Sequence, residues 1–127
     1  MTNEEKQLLL IDLCARLPYG VICQLSNKDA GISITEKLEL GGLKHFIFGT
    51  MDVLPYLRPM SSMTDDERAG FRVLGGVMSY SPQHDTWAIS AFSPEAYDWL
   101  NRNGFDYRGL IPMGLALEAK EGMYKTE

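Results

Sequence analysis

The stretch VLPYLRPMSSMTDDERAGFRVL, residues 53–74, decides how the two halves of this chain are joined. It opens with two prolines four residues apart, Pro55 and Pro59. Because proline fixes φ and disfavours helix at the residue before it, this part is predicted to run extended and stiff. Thr64 is followed three residues later by Glu67, which is the capping-box pattern of a helix start. The stretch is therefore predicted to be a rigid connector that feeds a central helix.

The composition bounds the class of protein. The chain has 127 residues, of which 45% are hydrophobic and 23% charged, as expected for one globular domain. Its 17 acidic residues outnumber 12 basic ones, and the formal net charge is −5, which argues against binding to duplex nucleic acid. No apolar run approaches the length of ~20 residues that a membrane span needs. The polar, acidic N-terminus lacks the basic region of a signal peptide, so a cytoplasmic location is expected.

Two cysteines, Cys14 and Cys23, do not make a disulfide framework. Both have apolar neighbours, and they fall in the first predicted helix and the first predicted strand. They are predicted to be reduced, buried and structural.

Before the connector, the pattern predicts one helix and three strands. A capping box at Thr2 and Glu5 starts the helix near residue 3. Its apolar face is predicted from helical spacing, and comprises Leu9, Leu10, Leu13, Cys14 and Leu17. Residues 21–25 and 43–48 are predicted strands. The even-numbered Ile32, Ile34, Leu38 and Leu40 predict a half-buried strand between them, and Gly41-Gly42 a tight turn. Together they form an antiparallel meander.

After the connector, a helix over 65–74, a hairpin of strands 77–80 and 86–92, and a helix over 94–103 are predicted. The last of these begins with Ser93-Pro94, a cap followed by proline at the first helical position. A turn and a short edge strand follow. The fold class is α+β: a small bent antiparallel sheet or SH3-like barrel of about five strands with three helices packed outside. Residues 1–119 form a single domain, and 120–127 a frayed tail.

Three blocks of the sequence resemble a group of short uncharacterised proteins of gut Bacteroides-type bacteria and of their phages and mobile elements. The blocks are LLLIDLCARLPYGV at 8–21, PYLRPMSSMTDDE at 55–67 and DWLNRNGFDYRGLIPMGLALEA at 98–119. The resemblance covers a third to a half of the chain and carries no activity or residue role. It implies an accessory protein of a bacterium or phage.

Catalytic patterns are weak. His84 lies beside Asp85 in a polar turn, and with Cys23 they would make a nucleophilic set, but nothing around them indicates an activated thiolate. The acids Asp65, Asp66 and Glu67 are explained by helix capping. No metal spacing or phosphate loop is present in the sequence, so no cofactor or metal is predicted.

An arginine-aromatic set is the candidate binding site. Its members are Tyr56, Arg58, Trp87, Tyr107 and Arg108. Arginine forks beside aromatic rings bind planar or anionic ligands and form hot spots in protein interfaces. A purely structural role competes with this interpretation, since the rings can fill the core and the guanidiniums can pair with the surplus acids.

The leading hypothesis is a small non-enzymatic binding protein that takes a protein partner or a small anionic ligand. In the context that the resemblance implies, it would sequester a host signalling nucleotide or block a host defence protein. One alternative is a small hydrolase or transferase that uses His84 and Asp85 or the acidic residues. Another is an interaction module that works only as a homo-oligomer.

Overall fold

The computed structural model describes residues 1–81, 86–91 and 93–124, with the backbone alone at 78, 80, 81 and 86–91. Its elements are α1 (Asn3–Arg16), β1 (Ile22–Asn27), β2 (Ile32–Lys37), α2 (Leu40–Phe48), β3 (Asp52–Leu57), α3 (Asp65–Val73), β4 (Gly76–Ser81), β5 (Thr86–Ala91), α4 (Pro94–Arg102) and β6 (Leu117–Glu118). The predicted α+β class is confirmed.

The main sheet has four strands in the order β2-β1-β3-β6, and it is open, not a barrel. β1 pairs antiparallel with both β2 and β3, whereas β6 pairs with β3 in the parallel direction. β4 and β5 form a separate antiparallel hairpin, whose turn falls at residues outside the described range. The sheet is therefore mixed, since the chain returns to β3 from the far end of the sequence.

Helix starts are the best-predicted features. Thr2 and Thr64 both make complete capping boxes, with Glu5 and Glu67 respectively. The Ser93 hydroxyl accepts from the Ala96 amide at the start of α4 and donates to the Leu74 carbonyl at the end of α3. These side chains satisfy amides that a helix start would otherwise leave unpaired, so the three helices begin where their caps lie.

One predicted strand and one predicted turn were wrong. The predicted strand 43–48 and the predicted Gly41-Gly42 turn lie in α2 instead. Gly42 lies against the side chains of Leu25 and Leu38, so a residue without Cβ lets this helix approach the sheet closely. The predicted connector is extended at 52–57, but there it is β3. Pro55 is tolerated because β6 begins to pair with β3 only at Tyr56, so no ladder bond is needed from the proline nitrogen on that side.

The hydrophobic interior has two parts. The larger lies between the main sheet and the helices α1 and α2, and includes Leu9, Leu13, Cys23, Leu25, Phe46, Val53, Leu57 and Leu110. The smaller lies under α3 and α4, and is formed by Met60, Met63, Phe71, Ala96, Leu100 and Phe105. The chain crosses from one to the other at Arg58, directly after β3.

The buried face of α1 differs from the predicted one. Leu9 and Leu13 are buried as expected, but Asp12 and Arg16 are buried with them, and Cys14 is exposed. The prediction failed because it scored apolar residues alone, while a charge pair four residues apart can be buried when each member has a partner. Cys23 is buried, as predicted.

β2 also differs from its predicted half-burial. It is a strand, but all six of its residues are exposed, and Leu40 belongs to α2 with 71% of its surface exposed. Only Leu38 of the four even-numbered residues is buried. The strand lies at the edge of the sheet, beyond the part that the helices cover.

The sequence predicts a frayed tail over 120–127, of which 125–127 lie outside the described residues, yet Tyr124 contacts the sheet. Its hydroxyl accepts from the Ile22 amide at 2.9 Å and donates to the Tyr56 carbonyl at 2.5 Å. Burial raises the pKa of Tyr124 to about 12, so the hydroxyl keeps its proton at neutral pH.

In the described part of the chain, no helix is both long and apolar enough to cross a membrane.

Two glycine substitutions should have opposite effects on stability. A Cβ at Gly76 would collide with the buried ring of Phe71, so Gly76→Ala should lower the free energy of unfolding by about 1 to 3 kcal/mol. Gly70 in α3 has open space around it, and Gly70→Ala should raise stability by about 0.5 to 1 kcal/mol because alanine favours helix. Urea unfolding of both variants measures this. Equal effects of the two changes would contradict the packing described.

The two thiols should react differently. Burial, followed by the charge of Asp12, raises the pKa of Cys23 to about 12, whereas Cys14 is exposed. Since the thiolate is the reactive form, a thiol reagent at mildly alkaline pH should modify one cysteine in the folded protein and a second only after denaturation. Cys14→Ser should abolish the fast reaction. Rapid modification of two thiols in the folded protein would show that Cys23 is accessible.

Candidate functional site

Arg58 lies at the crossing between the two parts of the interior. Its backbone pairs with the late segment 104–106, since its amide donates to the Gly104 carbonyl at 2.6 Å and its carbonyl accepts from the Asp106 amide at 2.8 Å. Its guanidinium makes a bidentate ion pair with Glu67, at 2.7 and 2.8 Å, and donates to the Ser62 carbonyl. This hydrogen bond from Arg58, with the Thr64 backbone, lowers the pKa of Glu67.

Phe105 is shared by two arginines. The Arg58 guanidinium lies over the Phe105 ring, 4.2 Å from its centroid. The Trp99 ring stacks with the same ring at a distance of 5.5 Å between centroids. The carbonyl of Phe105 accepts a hydrogen bond of 2.6 Å from Nη2 of Arg16. Phe105 thus contacts the Arg58 guanidinium through its ring and the Arg16 guanidinium through its backbone carbonyl.

A buried charge network continues from Arg16. Asp12 accepts from Nε of Arg16 at 2.9 Å and from Nε of Arg108 at 3.1 Å. Arg108 also donates to the Tyr107 hydroxyl, which in turn donates to Oδ1 of Asn101. Asp12 and Arg16 are fully buried, and Arg108 is the member that reaches solvent. Two guanidiniums against one carboxylate give the cluster a formal charge of +1.

Part of this network remains unsatisfied. Nη1 of Arg16 is buried and has no hydrogen-bond partner among the described residues. The Tyr107 ring lies 5.3 Å from this guanidinium and supplies a cation–π contact in place of an acceptor. The arrangement holds α1 against the segment that follows α4, and it leaves Arg16 no route to a solvent ligand.

A cleft of about 500 Å³ opens beside Arg58. Its walls come from the segment 58–67, from Asn103 at the end of α4, and from residues 118–124. Charged groups on the walls are Arg58, Glu67, Glu118, Lys120 and Glu121. Lys120 lies over the ring of Tyr56, with Nζ 6.0 Å from its centroid, and Tyr124 forms the floor where its hydroxyl meets the sheet.

The structure does not bring the four described side chains of the predicted set into one site. Arg58 lines the cleft, whereas Tyr56 is 6% exposed and its ring lies under Lys120. Tyr107 and Arg108 belong to the buried network with Asp12. Trp87 is opposite Tyr80 in the hairpin, and its side chain is outside the described part. Both arginines already have a carboxylate partner, so the structure shows a fold role for each of them alongside any binding role.

The residues of the enzyme hypothesis do not form a described cluster. His84 and Asp85 lie outside the described residues. The acids Asp65, Asp66 and Glu67 lie in the first turn of α3, where Glu67 forms the capping box with Thr64. Within the described ranges, no three His, Cys, Asp or Glu side chains are placed to hold a metal ion.

Sequence reasoning missed Asp12, Arg16, Phe105, Lys120 and Tyr124. The one signal for the first pair was its spacing, since Asp four residues before Arg is a favourable helical ion pair. That spacing is usual on exposed faces, so it does not indicate burial. The other three contact partners that lie more than 40 positions away along the chain: Phe105 contacts Arg58, and both Lys120 and Tyr124 contact Tyr56. No local pattern in the sequence predicts such contacts.

Removing the shared carboxylate should unfold much of the protein. Asp12→Ala would leave Arg16 buried and unpaired, and we expect it to lower the free energy of unfolding by about 3 to 5 kcal/mol. Asp65→Ala is the control, because it removes a fully exposed carboxylate paired with Arg68, and its denaturation midpoint should hardly change. If Asp12→Ala were as stable as the control, the network would not hold the fold.

No protein-family model, curated protein or solved structure matches this chain.

Proposed function

We propose that this chain is a small non-enzymatic binding protein and that its ligand site is the cleft beside Arg58. The observation that supports this most is the fixed Arg58 guanidinium at the wall of a cleft of about 500 Å³. Small-molecule sites have volumes of roughly 300 to 1,000 Å³ and a few well-placed polar groups. An arginine held by Glu67 and by the Phe105 ring needs little ordering when a ligand arrives, which favours binding.

The charges of the cleft favour a ligand with a single anionic group. Arg58 and Lys120 attract an anion, but Glu67, Glu118 and Glu121 line the same cleft, so its formal charge is −1. A polyphosphate would be repelled by the three carboxylates of the cleft. A ligand with one carboxylate or phosphate monoester group can contact Lys120 with that group, while its uncharged polar part faces the three carboxylates. A small ligand with a single anionic group therefore fits better than a nucleotide with several phosphates.

The resemblance to uncharacterised proteins of Bacteroides-type bacteria and phages supports an accessory role, such as counter-defence. We propose that it acts by sequestering this small molecule in the cytoplasm. A protein partner that inserts an acidic side chain into the cleft is the rival within the same class, and the experiment below distinguishes the two.

Native mass spectrometry of the protein from its expression strain tests the ligand. We expect an added mass of a few hundred daltons that is lost on denaturation. Lys120→Glu should reduce its occupancy at least tenfold, because a repulsive charge replaces the exposed cation of the cleft. Lys44→Glu, an equally exposed change in α2, should retain it. Arg58→Ala is not a clean test, since we expect it to lower the melting temperature as well.

The proposal fails if the wild type has a bare mass and if millimolar carboxylates and phosphate monoesters cause no thermal shift. Equal retention by Lys120→Glu would move the ligand to another site. Capture of a protein through Lys120 with no small molecule bound would favour the rival.

A further inference from the structure

An unprotected edge strand is the feature that the ligand cleft does not explain. β2 is the outer strand of the main sheet, and the described residues place no strand along its other side. All six of its residues are exposed. Ile32 and Ile34 are 46% and 44% exposed, and both lie on the face that bears the helices, because Ile34 pairs with the buried Leu25.

The usual protection of a sheet edge is confined to one end of this strand. Proteins guard edges with proline, bulges or charged side chains. β2 contains no proline, and it pairs with β1 residue by residue over its whole length, with no bulge. Its two charged residues, Glu36 and Lys37, take the last two positions, and the Lys37 side chain packs against Gly20. The middle of the strand therefore offers free backbone groups flanked by isoleucine.

We propose that β2 is a dimer interface, in which it pairs antiparallel with β2 of a second copy about a twofold axis through Ser33. A twofold axis perpendicular to the sheet keeps the helices of both copies on the same face. Even-numbered residues then oppose even-numbered residues. With the axis at Ser33, Ile32 lies opposite Ile34 of the partner copy, and Ile34 lies opposite Ile32 of the partner copy.

A second copy is the occupant that the sequence of the strand fits best. The pattern Ile-Ser-Ile is symmetric about Ser33, so it is complementary to itself when reversed. Moving the axis to Ile34 would place Ile32 opposite Glu36, which buries a carboxylate against an apolar side chain. The axis at Ser33 avoids this and makes four adjacent isoleucines.

Helix α2 can extend the contact beyond the strand. Gly42 lies against Leu25, so α2 is on the same face of the sheet as Ile34. This helix exposes 71% of Leu40 and 70% of Phe48, which are two large apolar side chains. Strand pairing would satisfy the backbone, and these side chains would add apolar area to it.

Disulfide trapping tests both the interface and its register. In a Cys14→Ser background, Ser33→Cys should form a covalent dimer under mild oxidation, because the two residues face each other across the axis with Cα atoms about 5 Å apart. Thr35→Cys is the matched control on the same face. Its two copies would be four residues apart along the strand, roughly 13 Å, so it should not crosslink. Cys23 should stay unreacted because it is buried.

Light scattering after size-exclusion chromatography measures the assembly without a crosslink. The wild type should have twice the chain mass of 14.3 kDa, and Ile34→Lys should have the mass of one chain with an unchanged far-UV circular dichroism spectrum. A wild-type monomer at high micromolar concentration would overturn the proposal. So would a dimer that survives Ile34→Lys, or one that Thr35→Cys traps better than Ser33→Cys. None of these outcomes depends on the ligand.

Discussion

The hydrogen bond from Arg16 to the carbonyl of Phe105 is the contact on which the rest of the structure depends. It joins residues 89 positions apart, and both partners are fully buried. A guanidinium in the interior is tolerable only when its charge and its protons are met, and Asp12 and Phe105 meet most of them. Because Phe105 also carries Arg58 on its ring, the same residue connects α1, β3 and the second part of the interior.

This arrangement explains why arginine does structural work in an acidic protein. A lysine at either position would lack the planar fork with which Arg58 contacts Glu67 through two nitrogens while its face rests on Phe105. The carboxylate of Glu67 also caps α3. The wall of the cleft and the start of a helix are thus fixed by one ion pair, which gives the cleft a rigid side.

Local signals in the sequence were sufficient for most of the fold. Thr2, Thr64 and Ser93-Pro94 located three helices, because a cap acts within four residues and is visible in a single sequence. α2 was missed because LGGLKHFIF has two glycines and residues of high β-propensity, and its N-terminus lacks a side-chain cap. Its stability comes from packing, in which Gly42 lets the helix approach Leu25 and Phe46 enters the core. The left-handed Gly49 at its end was the available local signal.

The candidate site was predicted only in part, for a related reason. Arg58 and Tyr56 were chosen because an arginine beside an aromatic in a proline-bounded stretch is locally unusual, and Arg58 lines the cleft. Lys120 and Tyr124 complete the cleft from a segment whose pattern indicated only a tail, and the contact with β3 cannot be read from either segment alone. Asp12 and Arg16 look like an exposed helical pair until the fold brings Phe105 and Arg108 against them.

The long interval between Arg16 and Phe105 has a consequence for synthesis of the chain. At roughly 5 to 20 residues per second, α1 emerges some 4 to 18 s before the carbonyl that its arginine needs. During that interval, α1 cannot bury Arg16 and Asp12 against a completed partner, although β1, β2 and β3 are already available to pair. The nascent sheet therefore presents its apolar face before α1 can be locked over it, and this is the stage at which a chaperone would find a binding surface.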